Sequence, residues 1–149
     1  MYWPYKYFKG LSTRKAIQRK KDVRSRLDTS WKTRRAYRPF KTDIGVKTRT
    51  SKYVSRLRKL VPTTARSLPA YSKATGVPLP ILKQSYTRGM AAWRTGHRPG
   101  ATQQQWGYAR VASLLTCGKT YYTTDSDLVR KAISTSTSAR RWFHKTCKN

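Results

Sequence analysis

Apolar residues recur at helical spacing in the second half of the chain. From Pro62 onward the charges become sparse, and Gly and Pro separate regular apolar runs. This pattern predicts an all-α domain of four short helices: Ala65 to about Thr75, a second helix from about Pro80, Thr102 to Thr116, and about Ser126 to Ser134. The expected ends are Gly76 and Gly118, and Thr102 is the expected N-cap of the third helix.

The core of this domain is expected along the apolar stripes of its second and third helices. The side chains predicted to point inward are Leu82, Tyr86, Met90, Trp93, Trp106, Val111 and Leu114.

The first 61 residues have a different texture. Leu11, Ala16, Ile17, Val23 and Leu27 are scattered among Lys and Arg, too sparsely for a buried helix, although a basic helix lying on a surface stays open. The sequence "SKYVSRLRKLVP" predicts one short helix near 51–60. We therefore expect an all-α protein, a small bundle of about four short helices with a long, mostly extended basic N-terminal arm. Its predicted parts are the arm (1–61), the helical domain (62–135) and a basic tail (136–149).

The charge of the chain indicates its partners. Lys and Arg number 34 and Asp only 5, with no Glu, which gives a net charge of +29. Nucleic-acid phosphate is the commonest partner of so basic a chain, and acidic protein surfaces come second. The cations predicted to contact nucleic acid or a partner protein are Arg14, Lys15, Arg19, Lys20, Lys21, Arg34, Arg35, Arg94 and Arg98.

The arm is unusually rich in aromatic residues. A disordered basic arm is one interpretation, because high charge and low hydrophobicity favour disorder. Aromatic residues interleaved with cations instead suggest anchors that are buried in a partner. The predicted anchors are Tyr2, Trp3, Tyr7, Phe8, Trp31 and Phe40.

The stretch "WRTGHRPGATQQQW" joins the second and third predicted helices. His97 has no acidic neighbour in the sequence and no nucleophile beside it, so we expect it to pack between tryptophans or to contact a partner. Arg94 and Arg98 flank the turn and could hold a phosphate or a carboxylate. The sequence predicts no catalytic centre, no cofactor and no small-molecule substrate.

Other polar motifs have structural interpretations. Cys117 and Cys147 are expected to be free thiols, although a disulfide stays open. Asp125 and Asp127 stand where the fourth helix begins and are expected to cap it. No metal site is predicted, since the two Cys and two His lack zinc-binding spacing.

The stretch "YSKATGVPLPILKQSYTRG" has the form of a helix-turn-helix, with a turn at Gly76 and Val77. Lys83, Gln84 and Arg88 would then lie on the recognition helix. Many small helical domains contain two consecutive helices joined at a Gly, so this pattern by itself does not identify a DNA-binding domain.

Residues 70–130, and "GMAAWRTGHRPGATQQQWGYARV" above all, resemble an uncharacterised small basic domain carried by large double-stranded DNA viruses of algae and protists and by some tailed phages. The resemblance supplies no catalytic residues, but it implies a viral origin and a place in a virion. The expected function is that of a minor capsid or cement protein of a large icosahedral virion. It would tie capsid proteins together from the inner side of the shell through its arm. The alternative is a DNA-binding, genome-condensing protein packaged in the virion. No membrane span is expected.

Overall fold

A computed structural model describes residues 2–147, and all regular structure in that range is helical. It contains eight α-helices and three 3-10 helices, with no strand among the described residues. The prediction of an all-α protein is therefore confirmed. The α-helices are α1 (Thr13–Leu27), α2 (Lys52–Leu60), α3 (Leu68–Thr75), α4 (Leu79–Trp93), α5 (Gln103–Leu115), α6 (Lys119–Tyr122), α7 (Ser126–Thr135) and α8 (Thr137–Thr146).

The contacts between residues divide the chain into two compact units. One combines the residues up to Arg49 with Met90–Trp106, and we call it the aromatic unit. The other combines Thr50–Gly89 with the residues from Gly107 onward, and we call it the aliphatic unit. This division differs from the predicted arm, domain and tail, because the arm up to Arg49 shares a unit with the "WRTGHRPGATQQQW" stretch, whereas residues 50–61 belong to the other unit.

The prediction of a long, extended N-terminal arm is wrong. Residues 13–27 form the 15-residue helix α1, and 3-10 helices follow at Arg34–Tyr37 and Lys41–Asp43. The buried positions of α1 are Arg19, Val23 and Arg26, which stand at i, i+4 and i+7 on one helix face. Because two of these three residues are arginines, the pattern of apolar residues in the sequence does not predict this buried face.

The prediction of about four helices is also wrong. The segment expected to be a basic tail forms α8, whose N-cap Ser136 accepts a hydrogen bond from the backbone N–H of Ala139 at 3.1 Å. Ala139 and Phe143 of α8 are buried. A weakly apolar stripe among Arg and Lys therefore suffices to bring the tail into the aliphatic unit.

The aliphatic unit has the kind of core that the apolar spacing predicts. Of the expected core residues, Leu82, Val111 and Leu114 are fully buried there. The rest of this core is mainly Ile, Leu, Val and Ala from α2 to α8. Helix α3 ends as predicted at Gly76, whose φ of 79° lies in the left-handed region that glycine favours.

The remaining members of the predicted core lie elsewhere. Trp93 is buried, but in the aromatic unit, whereas Tyr86, Met90 and Trp106 are only half-buried. The expected capping of α5 is confirmed, because the Thr102 hydroxyl accepts from the N–H of Gln105 at 3.1 Å. The Gln105 side chain in turn accepts from the N–H of Thr102 at 2.9 Å, which completes a capping box.

A disulfide joins Cys117, just after α5, to Cys147 at the end of α8. The expectation of two free thiols is therefore wrong. The two cysteines stand 30 positions apart, and nothing in their spacing indicates that the chain brings them together. The indole of Trp142 also donates to the carbonyl of Leu115 at 2.9 Å, so α8 is tied to the end of α5 at two points.

Candidate nucleic-acid interface

Three nearly parallel rings form the centre of the aromatic unit. The ring of His97 stacks on Trp93 with centroids 4.4 Å apart and on Phe40 with centroids 4.9 Å apart. Phe40 is 1% exposed and Trp93 4% exposed. Phe40, predicted to anchor the arm in a neighbouring protein, is thus buried in the protein's own core.

Asp43 is the carboxylate around which this unit is organised. It accepts hydrogen bonds from Arg19 Nη1 at 2.9 Å and from the backbone N–H of Gly100 at 3.0 Å, and its Oδ2 lies 2.6 Å from His97 Nε2. Burial by itself raises the pKa of Asp43. The hydrogen bonds from His97 and Gly100, with the charges of His97 and Arg19, outweigh burial and hold this pKa below its ordinary value.

His97 has an acidic partner, Asp43, that stands 54 positions away in the sequence. The sequence positions adjacent to His97 gave no sign of this partner. Its second ring nitrogen, Nδ1, lies 2.8 Å from the carbonyl oxygen of Trp93. Both partners are acceptors, so a ring protonated on both nitrogens satisfies them together. Burial outweighs the hydrogen bond and charge of Asp43, so the pKa of His97 lies below its ordinary value and the doubly protonated ring is disfavoured.

The predicted packing of His97 against tryptophan is confirmed by its stacking on Trp93 and by its edge contact with Trp106, at 6.3 Å between centroids. The His97 side chain is completely buried. Both of its ring nitrogens are engaged by groups of the same unit, so the geometry gives this histidine a structural role.

Several arginines bind the protein's own backbone. Arg19 is fully buried, and its guanidinium donates to the Thr42 hydroxyl, to Asp43 and to the carbonyl of His97. Arg94 donates to the carbonyl of Arg26 at 3.2 Å, near the C-terminal end of α1 where carbonyls lack helical partners. Both residues were predicted to contact nucleic acid or a partner. Their guanidinium groups are instead engaged inside the aromatic unit, so the structure does not support those two assignments.

The aliphatic unit contains a second buried carboxylate. Asp125 accepts from Ser85 Oγ at 2.8 Å, from Arg88 Nη1 at 3.1 Å and from Arg110 Nη2 at 2.8 Å. Asp125 is the N-cap residue of α7 and Asp127 lies in its first turn, as predicted, but the Asp125 side chain makes no capping hydrogen bond. Asp127 binds Arg88 through two hydrogen bonds of 2.9 and 2.8 Å, which lower the pKa of Asp127 to about 2. Arg88, which the helix-turn-helix interpretation assigned to DNA, is held by these two carboxylates.

Most of the other predicted cations are exposed. Arg14, Lys15 and Lys21 lie on α1, and Arg34 and Arg35 lie on the 3-10 helix that follows it. Arg98 is exposed as well, whereas the half-buried Lys20 has its Nζ 5.5 Å from the Phe8 ring centroid. On α1, Arg14 and Lys21 stand seven residues and therefore about 10 Å apart, on the side opposite the buried positions.

The predicted anchor aromatics have different environments. Tyr2 is 84% exposed and Trp31 is 47% exposed. Trp3 and Phe8 are half-buried and pack edge to face at 5.7 Å, while Tyr7 packs against Trp106 at 6.4 Å. Only Tyr2 and Trp31 of the six are thus left as large exposed surfaces.

A groove of about 860 Å³ opens on the aromatic unit next to Trp31. The residues that line it include two aromatics, three cations and an amide, namely Trp31, Tyr37, Lys32, Arg34, Arg38 and Gln103. Of these, the sequence analysis singled out only Trp31 and Arg34. The run "WKTRRAYRPF" interleaves cations with aromatics, which indicates a binding surface. The run does not show which of its residues line a groove.

The described part of the chain has two further properties that limit the choice of site. Within residues 2–147, no three His, Cys or Asp side chains come together in a way that could hold a metal ion. In the same range, no helix is both long enough and apolar enough to cross a membrane.

The fold and this surface define a small all-helical, strongly basic protein in which two of the five aspartates, Asp43 and Asp125, are buried or nearly buried. The chain belongs to a family of unknown function, DUF5824, whose model matches residues 4–131. No curated protein and no solved structure matches it. The match begins at residue 4 and so includes the segment that the sequence analysis treated as a separate arm.

Proposed function

We propose that this protein binds nucleic acid through the phosphate backbone, without reading sequence. The observation that carries the proposal is the separation of its charges. Three of its five aspartates form ion pairs with arginines. Asp43 pairs with one arginine of the aromatic unit, and Asp125 and Asp127 pair with two arginines of the aliphatic unit.

The other two carboxylates neutralise little of the surface charge. Asp22 accepts from the amide of Gln18 at 2.9 Å, and neither Asp22 nor Asp28 forms an ion pair within residues 2–147. Arg19, Arg88 and Arg110 are the arginines paired with carboxylates in that range, out of 34 Lys and Arg in the chain. Most of the remaining Lys and Arg side chains in that range are exposed, where phosphate is their natural counter-charge.

Helix α1 carries several of these exposed cations. Its buried positions fix the helix through Arg19, Val23 and Arg26, so Arg14, Lys15 and Lys21 are presented from a rigid element. Cations fixed in this way lose less conformational freedom on binding than cations on a disordered arm.

The virion structural role remains a prediction from the sequence. It depended on an extended arm whose aromatics are buried in neighbouring proteins, and the burial of Phe40 in the protein's own core removes that support. A nucleic-acid-binding protein is compatible with a place inside a virion.

The test is a comparison of two triple variants with equal change in net charge. Arg14→Gln/Lys15→Gln/Lys21→Gln removes the exposed cations of α1. The matched control, Arg130→Gln/Lys131→Gln/Arg141→Gln, removes three exposed cations of the aliphatic unit.

Binding of a labelled DNA duplex is measured by fluorescence anisotropy over a range of salt concentrations. We expect the α1 variant to bind more weakly and its salt dependence to be shallower by about 2–3 in log–log slope, with a smaller change for the control. Equal losses from the two variants would contradict a surface centred on α1. Unchanged binding by both would contradict the proposed function.

A further inference from the structure

The groove beside Trp31 combines an exposed aromatic ring with exposed cations. Trp31 is 47% exposed, and within residues 2–147 it stacks on no other ring. The neighbouring cation Lys32 has its Nζ 5.5 Å from the Trp31 ring centroid. Arg34 and Arg38, also on the groove, are exposed and form no ion pair in the described chain.

Arg26 binds the backbone of residues 36–38, which form one wall of the groove. One guanidinium nitrogen of Arg26, Nη1, donates to the carbonyl of Ala36 at 2.7 Å, and Nη2 donates to the carbonyl of Arg38. The guanidinium also lies 4.1 Å from the Phe40 ring centroid. Tyr37 thus stands between two backbone points fixed by one buried side chain, which makes this wall pre-formed.

This chemistry matches an unpaired nucleotide better than a duplex. Every base has a flat π-face that stacks on an aromatic ring, but in a duplex those faces are covered by neighbouring bases. Flanking cations then bind the phosphates on either side of the stacked base. A volume of about 860 Å³ lies within the range of roughly 300–1,000 Å³ typical of small-ligand sites.

We propose that this groove binds an unpaired base of single-stranded nucleic acid, with the base against Trp31 and the backbone phosphates on Lys32, Arg34 and Arg38. Gln103 supplies an amide that both donates and accepts hydrogen bonds at the edge of the base. The proposal rests on the proposed function but adds a preference for single strands, which backbone binding alone does not give.

The test compares three variants on a labelled single-stranded oligonucleotide and on the duplex of the same sequence. Trp31→Ala removes the stacking surface, and Trp31→Phe retains an aromatic ring. Tyr122→Ala is the matched control, because Tyr122 is 57% exposed but belongs to the aliphatic unit. Thermal unfolding checks that each variant is folded.

We expect Trp31→Ala to weaken single-strand binding roughly five- to a hundred-fold, as for the loss of one stacked base, and duplex binding less than about two-fold. Trp31→Phe should restore most of the affinity, and Tyr122→Ala should change neither. An additional variant, Arg34→Ala/Arg38→Ala, should reduce the salt dependence on single strands by about 1–2 in slope.

Three results would overturn the proposal. An equal loss on single strand and duplex would show that Trp31 contacts the backbone. An unchanged affinity of Trp31→Ala with normal salt-dependent binding would leave the proposed function standing and refute the base site, as for a groove that takes a protein partner. Absence of salt-dependent binding by the unaltered protein would refute both.

Discussion

The aliphatic unit buries a cluster made mainly of Leu, Val, Ile and Ala, whereas the aromatic unit buries stacked rings and two arginines, Arg19 and Arg26. Each unit also contains one buried or nearly buried aspartate bound by arginine, Asp125 in the first and Asp43 in the second. The difference shows that a strongly basic segment can form a core if its cations find acceptors inside it. In the aromatic unit those acceptors are one carboxylate, one hydroxyl and several backbone carbonyls.

The largest expected effects come from removing the central carboxylate of each unit. Asp43→Asn leaves Arg19, which is fully buried, without an ionised partner. The free energy of unfolding should fall by about 3–5 kcal/mol, as when one member of a buried ion pair is removed. Asp125→Asn should cost less, because Arg88 and Arg110 are 35% and 16% exposed and reach water. Urea unfolding measures both.

The control for these variants is Asp28→Asn, at an exposed aspartate without an ion pair in the described chain. It should change the free energy of unfolding by no more than about 0.5 kcal/mol. If Asp43→Asn lowered the free energy of unfolding no more than Asp28→Asn, the result would contradict a stabilising role of Asp43 in the core of the aromatic unit.

Reduction of the disulfide should destabilise the protein by the next largest amount. The bond between Cys117 and Cys147 closes a 30-residue separation in the aliphatic unit, and loss of such a crosslink typically costs about 2–4 kcal/mol. Unfolding is measured with and without reductant. The variant Cys117→Ser/Cys147→Ser serves as control and should not respond to reductant. Equal stability with and without reductant in the unaltered protein would contradict the prediction.

Gly96 tests how tightly the aromatic unit is packed. Its φ of 141° is one that side chains rarely adopt, and an added Cβ would lie 2.5 Å from the ring of Tyr7. Gly45 has a φ of 75° but open space around the position of a Cβ. Gly45→Ala should therefore cost about 1–2 kcal/mol from backbone strain alone. Gly96→Ala should cost about 1–3 kcal/mol more, because Tyr7 must move.

Both glycine variants are compared by thermal unfolding. Equal losses at Gly45 and Gly96 would show that Tyr7 moves freely, and the contact between the N-terminal segment and residues 90–106 would not be a packed one.

The smallest expected effect is on pH dependence, and it affects both units in the same direction. The pKa of Asp127 is lowered from 3.8 to about 2, chiefly by the hydrogen bonds from Arg88, and the pKa of Asp43 is also lowered. A depressed carboxyl pKa stabilises the folded state above the unfolded value and loses that contribution as pH falls through the folded value. Stability should therefore decrease between about pH 4 and pH 2.

Asp127→Asn should remove part of that decrease while leaving the part due to Asp43. The measurement is urea unfolding at a series of acidic pH values. A stability that rises on acidification through this window would contradict the assigned ion pairs.

The aliphatic unit could be predicted from the sequence far better than the aromatic unit. Helices α3, α4, α5 and α7 follow apolar residues at helical spacing, and Gly76 and Thr102 mark real helix boundaries. Helix α1 was left open because its buried face consists of Arg19, Val23 and Arg26, while Ile17 and Leu27 are 52% and 46% exposed. A buried face that contains arginines gives no hydrophobic periodicity, so the apolar pattern could not predict it.

The candidate site was predicted in its chemistry but not in its arrangement. Exposed cations such as Arg14, Lys15 and Arg34 follow from composition, since few carboxylates exist to pair with them. The contact of Asp43 with His97 joins positions 54 apart, and the burial of Arg19 depends on that contact. Such long-range partners are set by tertiary packing, which a single sequence does not reveal.

The central claim is that the chain has few carboxylates, three of them paired with its own arginines, and that the many exposed cations left over bind phosphate. The most direct measurement is the dependence of the binding constant on salt for the unaltered protein, with single-stranded and duplex DNA. With at least six cations engaged, a plot of log Kobs against log salt concentration should have a slope of about −5 or steeper for the duplex and about −4 or steeper for the single strand. Weak binding at low salt, with a slope near zero for both DNA forms, would contradict the account.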